Sequence, residues 1–121
     1  MSFKFERLEA WQLAIAFCDR VMAVADSLPP RYQYSLGDQL RRAALSVPTN
    51  IAEGCGRDNP NECRYFYQIA KGSTYEVVSL LVIGAKRGLL SDGDYLSLYT
   101  EANSLAAIIH GLSRAQKKSL S

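Results

Sequence analysis

The sequence predicts an all-α protein, an antiparallel up-down-up-down four-helix bundle. Three observations lead there. Apolar residues recur at three- and four-residue steps along most of the chain, the 3.6-residue period of helices with one buried face. Proline and glycine interrupt that pattern at Pro29-Pro30, at Gly54 and Gly56, and at Gly88. No stretch alternates with the period of two that a strand needs, and there is no internal repeat. With 121 residues, 48% hydrophobic and 21% charged, the chain has the core of one domain, spanning 1–121.

The first helix is expected over 5–27, with Leu8, Trp11, Ile15, Cys18, Met22 and Ala25 as its inward stripe. Pro29-Pro30 ends it, because proline lacks an amide hydrogen and restricts the residue before it. The second helix is expected over 35–55, opened by a loose capping box of Ser35 and Asp38. Leu36, Leu40, Ala43, Val47 and Ile51 form its apolar face, and Gly54 and Gly56 supply permissive end positions. Pro48 stands inside it. Both the apolar and the polar stripe keep phase across Pro48, so one helix kinked at Pro48 is expected rather than two helices.

The third helix is expected over 60–87. Asn59 is a cap, Pro60 suits the first helical position, and Glu62 can reach back to the cap. Phe66, Ile69, Ala70, Ser73, Val77, Leu80 and Gly84 form its inward stripe, with Gly88 as stop. The fourth helix is expected over 92–117, opened by Ser91 with Asp94 three residues on. Tyr95, Leu98, Tyr99, Ala102, Leu105, Ala106, Ile109 and Leu112 run along it, and the tail from Lys117 to Ser121 is expected to fray.

Composition and spacing argue against catalysis. The cysteines Cys18, Cys55 and Cys63 are odd in number and lack a CxxC spacing, and the N-terminus lacks an apolar leader. Those features point to reduced thiols in a cytoplasmic protein, with free thiols favoured over a Cys55–Cys63 disulfide. No apolar run approaches the roughly 20 residues needed to span a bilayer, so no membrane association is expected. The single histidine, His110, has Ala107 three residues before it, so the Glu-x-x-His pairs of a di-iron bundle are missing. His110 reads as a surface or interhelical residue rather than a haem ligand. No nucleophile has an implied base beside it, and Gly54-Cys55-Gly56 follows a helix rather than a strand. The expectation is a non-enzymatic protein with no metal or cofactor.

Binding is the remaining class. The formal net charge is only +2, from 14 basic and 12 acidic residues, yet the charge is unevenly placed. Arg41, Arg42, Arg57, Arg64 and Lys71 gather around the second helix, the following loop and the third helix. Arginine forks suit phosphates, and Tyr65, Tyr67 and Tyr75 on the third helix could stack on unpaired bases. Arg41, Arg57, Arg64 and Lys71 are the candidates for an outward nucleic-acid surface. Arg42, Asn50, Glu53 and Glu76 are candidates for a structural polar cluster. The third helix is also apolar around much of its circumference, from Tyr65 to Ile83. A four-helix bundle buries one stripe per helix, so the remainder predicts self-association. A protein partner without nucleic acid is the alternative.

The chain further resembles the small four-helix-bundle family encoded within intervening sequences of bacterial 23S ribosomal RNA genes, once labelled S23 ribosomal proteins. The resemblance begins with Phe5-Glu6-Arg7-Leu8, Trp11 and Ala14. It is densest at Gln39-Leu40-Arg41-Arg42-Ala43-Ala44, Ser46-Val47-Pro48, Asn50-Ile51-Ala52-Glu53-Gly54 and Arg57. It continues through Phe66, Tyr67, Ala70, Gly72-Ser73 and Glu76. It implies a ring-like homopentamer and a relation to the accessory protein of diversity-generating retroelements, which binds nucleic acid and a reverse transcriptase through a basic ring. The near-neutral charge departs from those strongly basic relatives. The ribosomal RNA association is one of gene location. With the family in mind, Glu53 is expected to pair with Arg42 or a third-helix group, and Asn50 to satisfy backbone opened by Pro48.

Overall fold

The computed structural model describes residues 2–118, with side chains described through 116. Four helices pack in an antiparallel square: α1 (Glu9–Asp26), α2, α3 (Pro60–Lys86) and α4 (Asp92–Lys118). α2 runs as a first turn Pro30–Tyr32, a π turn Gln33–Gly37 and a long α stretch Asp38–Cys55. α3 packs most extensively, against α2 on one side and α4 on the other, while α1 closes the square between α2 and α4. The part of the expected frayed tail at 119–121 lies outside the described residues.

The ends depart from expectation for local reasons. A separate 3-10 turn, Lys4–Arg7, precedes α1, and Leu8 between them is extended. Glu6 folds that turn by accepting the Phe3 amide at 2.7 Å, and Phe5 packs on Trp11 with ring centroids 5.0 Å apart. α2 begins at Pro30, which suits a first helical position, rather than at 35. Ser35 caps nothing; its hydroxyl donates to the Tyr32 carbonyl at 3.4 Å. The π turn carries Gln33 under the end of α1, where Nε2 donates to the carbonyls of Ala25 at 2.9 Å and Leu28 at 2.8 Å. The Gln33 amide thereby ties the start of α2 to the end of α1, adding to the Leu28 amide that already reaches the Ala25 carbonyl at 3.2 Å.

Several other signals act as the sequence suggests, although the Glu62 side chain makes no bond back to Asn59 and instead stands 4.0 Å from Arg57. Asn59 Oδ1 accepts the amides of Asn61 and Glu62 at 2.8 and 3.4 Å. Gly88, with φ of 71°, closes α3, the Leu89 amide reaching the Gly84 carbonyl at 2.9 Å and the Gly88 amide the Ala85 carbonyl at 3.0 Å. Ser91 Oγ accepts the Asp94 amide at 3.1 Å. α2 is one continuous helix across Pro48, which is buried, and this packing needs no kink there, contrary to the expected bend.

The inward stripes are rotated by about one position from expectation in α1 and α3. α1 buries Ala10, Ala14, Phe17, Cys18, Val21 and Ala25, so Cys18 and Ala25 face inward as expected, while Ile15 stays 42% exposed. α1 sits between two neighbours, so its buried wedge is centred between them; Trp11, Ile15 and Cys18 line a groove along α2. α3 buries Cys63, Tyr67, Ala70, Thr74, Val77, Leu81 and Gly84, leaving Phe66, Ser73 and Leu80 half-buried. The Thr74 hydroxyl is satisfied by donating to the Ala70 carbonyl at 3.0 Å.

Gly54 corrects a second expectation. It is an ordinary helical residue rather than an end position, buried where α2 meets α3. A Cβ there would stand 2.7 Å from Tyr67 Cε1 and 3.0 Å from the Cys63 carbonyl oxygen. The missing side chain lets the Tyr67 ring lie against the α2 backbone.

Candidate nucleic-acid interface

The antiparallel packing of α3 on α4 builds a face that neither helix announces alone. Gln68 Nε2 donates to Ser113 Oγ at 2.8 Å, and Lys71 Nζ lies 3.2 Å from His110 Nδ1. These contacts set the register. Arg64, Gln68, Lys71 and Tyr75 are spaced to share one stripe of α3; His110 and Arg114, four residues apart, share one stripe of α4. Between Cys63 and Tyr75 on α3, and from Ala102 to Lys118 on α4, the sequence contains no aspartate or glutamate. The seam is therefore cationic and locally uncompensated. Among the described residues Arg64 forms no ion pair, and its Nη2 lies 3.5 Å from Asn61 Oδ1. Arg114 is exposed and forms no ion pair among the described residues. Tyr75 is 61% exposed, with Lys71 Nζ 5.9 Å from its ring centroid.

Arg64 and Lys71 lie on this seam; Arg41 and Arg57 do not. Arg41 is held among acids and amides at the junction of α1 and α2, with Nη2 3.0 Å from Asp26 Oδ1 and Nη1 3.2 Å from Asp38 Oδ1. It also donates to Gln33 Oε1. Arg57 pairs with Glu53 at 2.9 Å, stands 4.0 Å from Glu62, and stacks 4.8 Å over the Phe66 ring. Arg41 and Arg57 are also about 24 Å apart along the helix axis. The four cations are not one surface.

The polar cluster is likewise rearranged. Glu53 pairs with Arg57 rather than Arg42, because the last turn of α2 brings Arg57 four residues on, whereas Arg42 lies eleven residues back along the helix. Arg42 and Glu76 are exposed and form no ion pair among the described residues. Asn50 does bond backbone near Pro48, but at the Ser46 carbonyl, 2.8 Å away, and at Ser46 Oγ, 2.9 Å. Thr49 Oγ1 donates to the neighbouring Leu45 carbonyl at 2.7 Å. Ser73 Oγ donates to Ser46 Oγ at 2.7 Å, so Asn50, Ser46 and Ser73 form one chain of bonds joining α2 to α3.

Tyr67 is not available for stacking on a ligand: it is 3% exposed. Burial, with Cys55 and Cys63 nearby, pushes its hydroxyl up to about 12. Burial also raises the Cys18 and Cys63 thiols, and all the cysteines are free. Sequence reasoning missed His110 and Arg114 as seam members. Their signal was the acid-free stretch after Glu101, but the α3–α4 register was needed to read it.

Among the described residues, no group of His, Cys, Asp and Glu could hold a metal ion, and no helix is long and apolar enough to cross a membrane. Fold and seam together define a small all-α bundle whose distinctive chemistry lies on an outer face. The chain belongs to the 23S rRNA-intervening sequence protein family, whose model matches residues 6–111. A comparison with curated proteins finds no match.

Proposed function

We propose that this is a non-enzymatic, cytoplasmic protein that self-associates and binds nucleic acid along the α3–α4 seam. The observation that carries the reading is the seam itself: Arg64, Lys71 and Arg114, with His110 beside Lys71, gathered along stretches of α3 (63–75) and α4 (102–118) that hold no acid. A polyanion is attracted by such local charge even when the whole molecule is nearly neutral.

Self-association is supported by the opposite face. The groove between α1 and α2, of about 600 Å³, is lined by Trp11, Ile15, Leu45 and Pro48 among others. Ile15 and Leu45 there are 42% and 48% exposed. A ring, unlike a two-fold dimer, needs a second and different patch. Leu80 and Ile83, with Tyr32 and Leu36, furnish one at the other end of the bundle. A homopentamer of this kind would repeat the seam around a ring and multiply its charge.

The test is binding to structured RNA and to DNA across a salt series, with mass measured by light scattering in the same samples. Affinity is expected to fall steeply with salt. Arg64→Glu, Lys71→Glu and Arg114→Glu should each weaken binding and reduce the salt slope by roughly one. An oligomer that binds neither polymer at low salt would refute the nucleic-acid reading and leave a protein scaffold.

A further inference from the structure

Beyond the basic row, the same seam opens into a groove of about 250 Å³ lined by Tyr75, Val78, Tyr99, Asn103 and Ala106. Its rings are not core residues: Tyr75 is 61% and Tyr99 45% exposed. Tyr95 supports Tyr99, with centroids 5.9 Å apart. Asn103 contributes an amide that can both donate and accept. Lys71, next to Tyr75, joins the groove to the cations.

We infer that the seam takes single-stranded nucleic acid, an unpaired base lodging between Tyr75 and Tyr99 while phosphates follow Lys71, Arg114 and Arg64. This rests on the nucleic-acid reading above. The chemistry favours that ligand over two others. A duplex keeps its bases stacked inside and would use the cations while leaving the rings idle. A second copy docked face to face would bring two uncompensated cationic rows together. An unpaired base satisfies both halves, since stacking on an aromatic ring needs no particular sequence and the adjoining cations meet the backbone.

The experiment titrates a labelled single-stranded RNA of mixed sequence, and the same sequence as a duplex, with the full chain and its variants. Tyr75→Ala and Tyr99→Ala should each weaken single-strand binding on the order of tenfold. They should leave duplex binding, the salt slope and the mass unchanged. Tyr75→Phe should bind like the parent. If Tyr75→Ala binds single strands normally while reversal of Arg64, Lys71 and Arg114 abolishes binding, the groove assignment is overturned and the seam stands. If Tyr75→Ala lowers the mass, the groove is an interface between copies and the assignment is again overturned. If charge reversal also changes nothing, the seam reading fails and takes the inference with it.

Discussion

Replacing Gly54 by alanine tests whether the α2–α3 junction is as tightly set as the structure places it. Two effects oppose. Alanine in a helix interior is favoured over glycine by about 1 kcal/mol. The new methyl, however, would stand 2.7 and 2.9 Å from Tyr67 ring carbons and 3.0 Å from the Cys63 carbonyl oxygen. Neither obstacle is the loose end of a flexible side chain. The ring is buried, and the carbonyl belongs to the first turns of α3, so relief requires the helices to move apart. Overpacking of this kind costs about 1–3 kcal/mol, and the close backbone contact argues for the upper part of that range. The net expectation is a loss of about 1–2 kcal/mol. Gly72 supplies the control, since a Cβ there meets nothing within 4 Å. Gly72→Ala should stabilise by about 0.5–1 kcal/mol. Gly84→Ala falls between, its close neighbour being the Leu90 Cδ2 methyl, 2.9 Å away, which can turn aside. Urea unfolding at one fixed protein concentration would rank the three, a precaution needed if the chain self-associates. If Gly54→Ala proves as stable as Gly72→Ala, Tyr67 is not held against α2 and the packing argument is wrong.

Other perturbations separate fold from function. Asn50→Ala should cost about 1 kcal/mol by cutting the chain from Asn50 through Ser46 to Ser73; an unchanged melting temperature would show the chain to be idle. Arg41→Ala should lower stability by about 1 kcal/mol while leaving nucleic-acid affinity intact, because its guanidinium serves Asp26, Asp38 and Gln33; a loss of affinity without loss of stability would reverse that assignment. Tyr67→Phe should remove an alkaline weakness. The Tyr67 hydroxyl is raised to about 12 in the fold, so its burial supports the native state fully below pH 10. That support is lost as pH climbs from 10 to 12, by about 2–3 kcal/mol in all. Cys18 and Cys63, also raised, act in the same direction, so the test is the difference between parent and variant unfolding at pH 9 and 12. Identical slopes for the two proteins would sink it.

The helices were legible because their signals are local. Asn59-Pro60, Ser91 and Gly88 each act within one turn, and each does in the structure what its chemistry suggests. The phase of the buried stripes was not legible in α1 and α3. A helix wedged between two neighbours buries the bisector of two contacts, so Phe17 and Tyr67 turn inward although Ile15 and Phe66 fit a single stripe equally well. The start of α2 was hidden for another reason. Pro30 both follows one helix and begins the next, and the Gln33 side chain that joins them acts through a π turn with no sequence signature. Gly54 was misread because a glycine near a helix end satisfies two rules, and only the position of Tyr67 decides between them.

The near-neutral charge is the strongest objection to a nucleic-acid ligand, and the ion pairs answer it. Arg20 is engaged by Glu101, Arg41 by Asp26 and Asp38, and Arg57 by Glu53. Those pairs draw several acids into contacts away from the seam and cancel cations that could not have joined it. What remains on the seam is positive charge with no acid in its own stretches of helix. Net charge sums over the molecule, whereas a phosphate within a Debye length of about 8–10 Å senses only its neighbours. If five copies closed into a ring through the α1–α2 groove, each would carry its seam on the opposite face of the bundle. The affinity of the assembly would then scale with the number of seams a strand can reach at once. A variant that stays monomeric, such as one with Ile15→Glu and Leu45→Glu, should therefore keep the salt dependence of one seam and lose most of the affinity. If it bound as tightly as the parent, assembly and binding would be independent properties of this fold.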